Sequence, residues 1–335
     1  VVVLLETHEA YLRHDPGPHH PERPERLLAV RAGAERAGLG SGLVAVTPRP
    51  ATTDELARVH GTGLIQTIEA AIADQRVRFD PDTVAGPGSW EAAVFAAGAG
   101  LDAVERLRRG EGDAAFCAVR PPGHHADNSW PRGFCLLNNI VVAAAALFDA
   151  GERVAIIDYD AHHGNGTQAL VGGEPGVLYV SLHEYGPRVY PQSGGLAENA
   201  PGVINVPLAS GTAGDAYAAA FARVIEPAVG AFQPDWLLVS AGFDGHRDDP
   251  QTDLGLVAAD FAFLTARCVA LAPAGRVVAF LEGGYDFDAL VDSTQACVRA
   301  LAGEEISRPS SNGGGRGMDV IDELELLRGS ARRGI

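Results

Sequence analysis

Val154-Ala-Ile-Ile-Asp-Tyr-Asp-Ala-His-His-Gly-Asn-Gly166 carries more structural information than any other segment of the chain. An apolar run that reads as a buried strand ends abruptly in acids, histidines and glycines. Asp158, Asp160 and His162 alternate, and in extended backbone alternate side chains share one face. Asp160 and His162 can therefore point at one spot beyond the strand's end, where a carboxylate and an imidazole make half of a metal site. The competing reading is a polar loop whose acids are satisfied by backbone amides.

Working outward, further runs rich in Val, Ile and Leu read as buried strands at 1–5, 114–119, 177–182, 236–241 and 277–281. Ala-rich stretches with helical spacing lie between them, most clearly at 90–108, 139–150, 213–231, 258–271 and 287–301. Continuous apolar strands alternating with helices predict an α/β fold, a mostly parallel central sheet with helices on both faces. The predicted body is one domain over 1–302. Beyond it, Ser307-Arg-Pro-Ser-Ser-Asn-Gly-Gly-Gly-Arg316 reads as a flexible connector within 303–335, and 318–328 as a short helix that docks on the body or on another subunit.

The unusual residues sort themselves on this map. Arg120-Pro-Pro-Gly-His-His-Ala126, Asp158 to Asn165, Ser181-Leu-His183, Gly242-Phe-Asp244 and Glu282-Gly-Gly-Tyr285 each follow a predicted strand. In open α/β sheets that carboxyl-end rim is where ligands bind. Asp160, His162 and Asp244 offer three ligands with a fourth position open, the pattern of a catalytic zinc site. An acid in Gly-Phe-Asp-Gly is more often a turn or cap, so the placing of Asp244 on the rim matters. His124 and His125 are candidates to take a proton from a water and return it to a leaving amine. Asp158 and Asn165 suit the other ring N–H of those histidines. Tyr285, after two glycines, can donate to the oxyanion of a tetrahedral intermediate. Phe134 and Tyr190 suit the walls of a slim channel, although most aromatics are simply core.

Composition bounds the partners. With 46% hydrophobic and 21% charged residues the chain is ordinary for a globular protein. A net charge of −17 argues against nucleic acid, which is gripped by Lys and Arg, and suits cationic partners by steering. No apolar stretch is long enough to cross a membrane, and 1–5 lacks the basic start and length of a signal peptide. Cys117, Cys135, Cys268 and Cys297 form no CxxC pair, which fits reduced thiols and a cytoplasmic setting. A homo-oligomer is left open.

Together Arg120-Pro-Pro-Gly-His-His-Ala126, Gly133-Phe-Cys-Leu-Leu-Asn-Asn139, Asp158-Tyr-Asp-Ala-His-His-Gly-Asn-Gly-Thr167, Ser240-Ala-Gly-Phe-Asp244 and Glu282-Gly-Gly-Tyr285 resemble the signatures of the zinc-dependent histone deacetylase family, which includes acetylpolyamine amidohydrolases and acetoin-utilisation proteins. His20-Pro-Glu-Arg-Pro-Glu-Arg26 resembles its N-terminal loop. The resemblance covers roughly 1–302 and implies the arginase–deacetylase fold, with removal of acetyl groups from lysine side chains by metal-activated water. Asp160, His162 and Asp244 would hold zinc. His125 would be the general base and acid, and His124, paired with Asp158, would stabilise the transition state. Tyr285 would bind the carbonyl oxygen. Gly133, Phe134 and Tyr190 would line the acyl-lysine channel. Asp158, Asp160, His162, Ser181 and Leu182 would surround a structural potassium or sodium ion. Asn165 stands where the class I branch has Asp and resembles the class II branch. Asp82 is compared with the acid that grips the substrate backbone at the rim.

The implied substrate is an acetyl-lysine peptide, or alternatively an acetylated polyamine. Polyamine-preferring relatives carry a Glu gatekeeper where this chain has Gln251, and a neutral Gln does not attract a cationic amine. The acidic surface leans the other way. A two-manganese arginase-like hydrolase needs a further acid where Gly164 stands. A non-catalytic acetyl-lysine reader should have lost a ligand, a histidine or the tyrosine, and none is lost. Zinc and ferrous iron both suit the mixed oxygen and nitrogen donors.

Overall fold

The computed structural model describes residues 1–306 and 308–333, with only the backbone of 329–333. Ten strands are present among them: β1 (Val3–Glu6), β2 (Leu43–Val46), β3 (Val77–Arg78), β4 (Val84–Ala85), β5 (Ala114–Cys117), β6 (Val154–Asp158), β7 (Val177–Glu184), β8 (Val203–Leu208), β9 (Trp236–Ala241) and β10 (Val277–Leu281). Eight of them form one sheet in the order β2-β1-β5-β10-β9-β6-β7-β8. Every pairing in it is parallel. β3 and β4 form a separate antiparallel hairpin.

The central strands are buried along their whole length, as β6 and β9 show. That explains why they read as unbroken apolar runs: both faces of a parallel sheet must be covered. Helices Ser89–Arg108 and Asn139–Asp149 pack together on one side, and Glu25–Arg36, Ala258–Leu271 and Phe287–Leu301 pack together on the other. This is the α/β architecture expected from the sequence. Helix 213–231 is divided: Gly214–Ala220 and Glu226–Phe232 flank a π-turn at Phe221–Ile225. Pro227, which has no N–H for the preceding turn, accounts for the shift in register.

β2 and β8 are sheet edges that the sequence reading passed over. β8 contains Pro207, a residue that argues against an interior strand but is tolerated at an edge. The helix at Met318–Arg333 docks on this side, beside β8 and the helix at Gly214–Ala220, with Ile321 and Leu324 buried. The segment before it is tied down. Asp260 accepts from the N–H groups of Ser310 and Ser311, and Asp215 from that of Gly313. Ser307, within the stretch read as a connector, lies outside the described residues.

His60 closes the helix Thr53–His60 and supports the rim from behind. Its Nδ1 donates to Asp127 O at 2.9 Å, and its Nε2 accepts from Asn138 N–H at 2.8 Å. Asn138 in turn caps the helix Asn139–Asp149. A ring that both donates and accepts must be neutral, and burial lowers its pKa to about 4. Because the folded value lies below the unfolded one of about 6.5, this contribution is complete above pH 6.5 and is lost as pH falls toward 4. The stability difference between wild type and His60→Gln, measured by urea unfolding, should therefore shrink by roughly 3 kcal/mol across that window. A constant difference would show that His60 is not the titrating group.

Candidate active site

β6 ends at Asp158. The chain then bends, and the bend is built by its own acids. Asp158 Oδ1 accepts Asp160 N–H at 3.1 Å, and Asp160 Oδ1 accepts His162 N–H at 2.8 Å. Asp160 Oδ2 takes Gly283 N–H at 2.7 Å, and Asp244 Oδ1 takes Ala161 N–H at 2.8 Å. Capping of backbone amides and convergence on one centre therefore occur together; they are not alternatives.

The convergence is close. His162 Nδ1 lies 2.9 Å from Asp244 Oδ2 and 3.3 Å from Asp160 Oδ1. Among the described residues, Asp160, His162 and Asp244 form a group whose donor atoms all lie within 4.8 Å of one another. Both aspartates are fully buried, so the rim at these strand ends belongs to the core and is not open surface. Burial and the charge of Asp160 push the Asp244 carboxyl up. Burial alone would lower His162, but Asp244 and Asp160 raise it well above the ordinary range. Two buried carboxylates and an imidazole turned toward one centre attract positive charge, so the donor set fits a divalent cation such as zinc.

Above the donors stand two histidine pairs. His124 Nδ1 donates to Asp158 Oδ2 at 3.0 Å, and His125 Nδ1 donates to Asn165 Oδ1 at 2.7 Å. Their ring centroids are 4.0 Å apart, yet their environments separate them. Burial works against a charged His124, but Asp160, Asp158 and Glu282 overcome it and raise it to about 10. A divalent cation on Asp160 would weaken that pull. His125 is pushed well down, first by burial and then by the charges of His124 and His162. One ring is held as an imidazolium and the other as a neutral base.

A cavity of about 390 Å³ leads down to this floor, bounded by Phe134, Tyr190, Tyr285, Gly133 and Gln251. Phe134 and Tyr285 meet edge to face at 5.7 Å, and Tyr190 stands edge-on to His125 at 4.9 Å. Asp82 lines the mouth, and its carbonyl lies 2.8 Å from His20 Nε2. A larger open groove of about 1200 Å³ runs past the other side of Tyr190, but the metal-type donors do not line it. Phe134 has φ +68°, a conformation that costs a non-glycine residue about 1–3 kcal/mol. Thr83 Oγ1 holds its N–H at 2.9 Å.

Gly133, at φ +56°, leaves no room for a side chain: a Cβ there would meet the His125 ring at 2.5 Å. Gly133→Ala should therefore push His125 off its Asn165 bond and lower kcat about 100-fold, with metal content unchanged. Unchanged kcat would mean that the loop yields instead.

The register sets Asp158 beside Ser181, with Leu182 next along β7; Asp160 and His162, also named for a monovalent ion, follow just beyond the end of β6. Ser181 Oγ lies 2.8 Å from His183 Nδ1. Three supporting groups escaped the sequence reading. Glu282 Oε2 accepts from Gly123 N–H and His124 N–H at 2.7 and 3.1 Å, fixing the histidine loop. Glu22, fully buried, receives both Arg120 and Arg26. Arg26 also lies 4.8 Å from the centre of the Tyr285 ring. Asp249 holds the backbone of Tyr285. A charged residue within an otherwise apolar or glycine-rich motif was the available signal for Glu282.

The all-parallel sheet, with donors that could hold a cation below a channel at its carboxyl rim, defines the class as an α/β fold with a candidate metal centre. A protein-family model described as the histone deacetylase domain matches residues 20–301. A probable deacetylase of Archaeoglobus fulgidus is 36% identical over 310 residues, 90% of this chain and 86% of that protein. Histone deacetylase 15 of Arabidopsis thaliana is 37% identical over 294 residues, which is 85% of this chain but 53% of the plant protein. The crystal structure of an HDA15 HD domain superimposes with a TM-score of 0.88 at 34% identity, covering 97% of this chain and 94% of that one. The chain belongs to the histone deacetylase family. It is a deacetylase, a hydrolase of acetylated substrates, with the arginase–deacetylase fold.

Proposed function

We propose that the chain is a zinc-dependent amidohydrolase that removes acetyl groups from lysine side chains. The observation that carries this reading is the meeting of Asp160, His162 and Asp244 below a channel walled by Phe134 and Tyr190. A zinc ion held there would supply Lewis acidity toward water and the substrate carbonyl. The remaining work falls to the chain. Asn165 fixes the proton of His125 on Nδ1, leaving Nε2 free to take a proton from the attacking water and return it to the leaving amine. His124, held charged by Asp160 and Asp158, places a fixed positive charge beside the developing oxyanion. Desolvation in the channel wall keeps the Tyr285 hydroxyl above the ordinary tyrosine range, so it remains an O–H donor to that oxygen. Phe134 and Tyr190 enclose the alkyl stem and exclude water.

Gln251 on the channel wall supports acyl-lysine over a free polyamine, because it brings no charge to select a second amine. The net charge of −17 favours the polyamine reading. An acetyl-lysine peptide should be turned over with a kcat/KM at least about 10-fold above that of acetylspermidine, and Gln251→Glu should shift the ratio toward the polyamine. The reverse preference in the wild type would make the chain a polyamine deacetylase. Hydroxamates should inhibit competitively. We assign catalysis to 1–302, with 303–335 as an accessory segment. The four unpaired, buried cysteines support a cytoplasmic setting.

A further inference from the structure

We propose that Asp249 is the positioning residue for Tyr285: its carboxylate fixes the Gly-Gly-Tyr turn on the channel wall and ties that turn to Gln251. The inference rests on the deacetylase reading, in which Tyr285 binds the carbonyl oxygen. Tyr285 follows Gly283 and Gly284, and Gly284 has φ +116°. Two glycines leave a turn little stiffness of its own, so its geometry must come from hydrogen bonds. Arg26 holds the carbonyls of Glu282 and Gly284, each at 2.6 Å, and Asp160 holds Gly283 N–H. Those bonds lie before the tyrosine. The N–H groups of Tyr285 and Asp286 go instead to Asp249 Oδ2, at 2.6 and 3.2 Å.

The other oxygen, Asp249 Oδ1, accepts Gln251 N–H at 3.0 Å. Asp249 is itself anchored, with its N–H on His246 O at 2.8 Å, and it is 5% exposed. Thr252 Oγ1 donates to Asp244 O at 2.6 Å, so the loop leaving Asp244 is pinned on both sides of Gln251. One side chain thus joins the channel wall at Gln251 to the group expected to bind the oxyanion. Only a carboxylate offers acceptors on both atoms. Asn would turn an NH₂ toward a backbone N–H on one side, so it is not a conservative replacement here.

The test uses Asp249→Ala and Asp249→Asn, each alone and combined with Tyr285→Phe. With Tyr285 present, kcat should fall about 10- to 100-fold with little change in KM or metal content. In the Tyr285→Phe background the same changes should cost less than about twofold, because residues acting as one unit lose their effect together. Equal fold-losses in both backgrounds would overturn the proposal. Amide hydrogen exchange gives a readout independent of catalysis. The peptide spanning 282–287 should exchange faster in either variant, while the sheet is unchanged, and unaltered exchange there would also overturn it. Should the wild type hydrolyse no acetyl amide, the deacetylase reading fails, and exchange alone decides whether Asp249 fixes the turn.

Discussion

Asp244→Asn abolishes metal binding and lowers deacetylation by at least about 1000-fold, yet leaves the metal-free chain folded. The two halves of this expected result have separate causes. Metal is lost because the donor set drops from two carboxylates and an imidazole to one carboxylate and an imidazole. A neutral amide oxygen is a far weaker partner for a divalent ion. The fold is kept because Asn retains an oxygen for Ala161 N–H. The change also removes the carboxylate that meets His162 Nδ1 at 2.9 Å, while relieving its repulsion with Asp160. Unfolding in urea without metal should show a loss of about 1–3 kcal/mol, the usual cost of one buried charge-assisted hydrogen bond. Alanine would be a poorer probe, because it strands the Ala161 amide in a fully buried position. Normal metal content in Asp244→Asn would remove Asp244 from the ligand set.

Tyr285→Phe lowers kcat about 100- to 1000-fold, the usual cost of one oxyanion donor, with KM and metal content nearly unchanged. The ring's packing is retained: its edge contact with Phe134 and the Arg26 guanidinium over its face do not need the hydroxyl. Only an interaction formed in the transition state is lost, so the effect should fall on kcat. A hydroxamate inhibitor, which binds chiefly through metal chelation, should lose less affinity than kcat loses rate. A variant with wild-type kcat would leave the oxyanion to His124 alone.

The sheet core was legible because β6, β7, β9 and β10 are buried on both faces and must be apolar throughout. Its edges were not. β2 is a four-residue strand with two exposed positions, and β8 carries Pro207; neither shows an interior pattern. Helix Glu25–Arg36 was hidden because it buries Arg26 in the ion network with Glu22, so its inward face is partly charged. At the site, the rim position of Asp160, His162, Asp244, His124, His125 and Tyr285 followed from strand ends alone. The depth of Asp160 and Asp244 did not, since nothing in the spacing shows that Gly242 and Gly283 leave room for their carboxylates. The left-handed backbone of Phe134 was equally invisible, being held by Thr83 some fifty residues away. Asp249 and Glu282 act on backbone N–H groups 36 and 158–159 residues distant, contacts that only the assembled fold defines.

X-ray absorption at the metal edge, recorded on purified protein together with its metal content, bears most directly on the donor set. One divalent transition-metal ion per chain, in a first shell of oxygen and nitrogen fitted with a single imidazole, is the predicted result, and it should vanish in His162→Ala. Two such ions per chain, a shell with sulfur or several imidazoles, or full occupancy in His162→Ala would contradict a centre built from Asp160, His162 and Asp244.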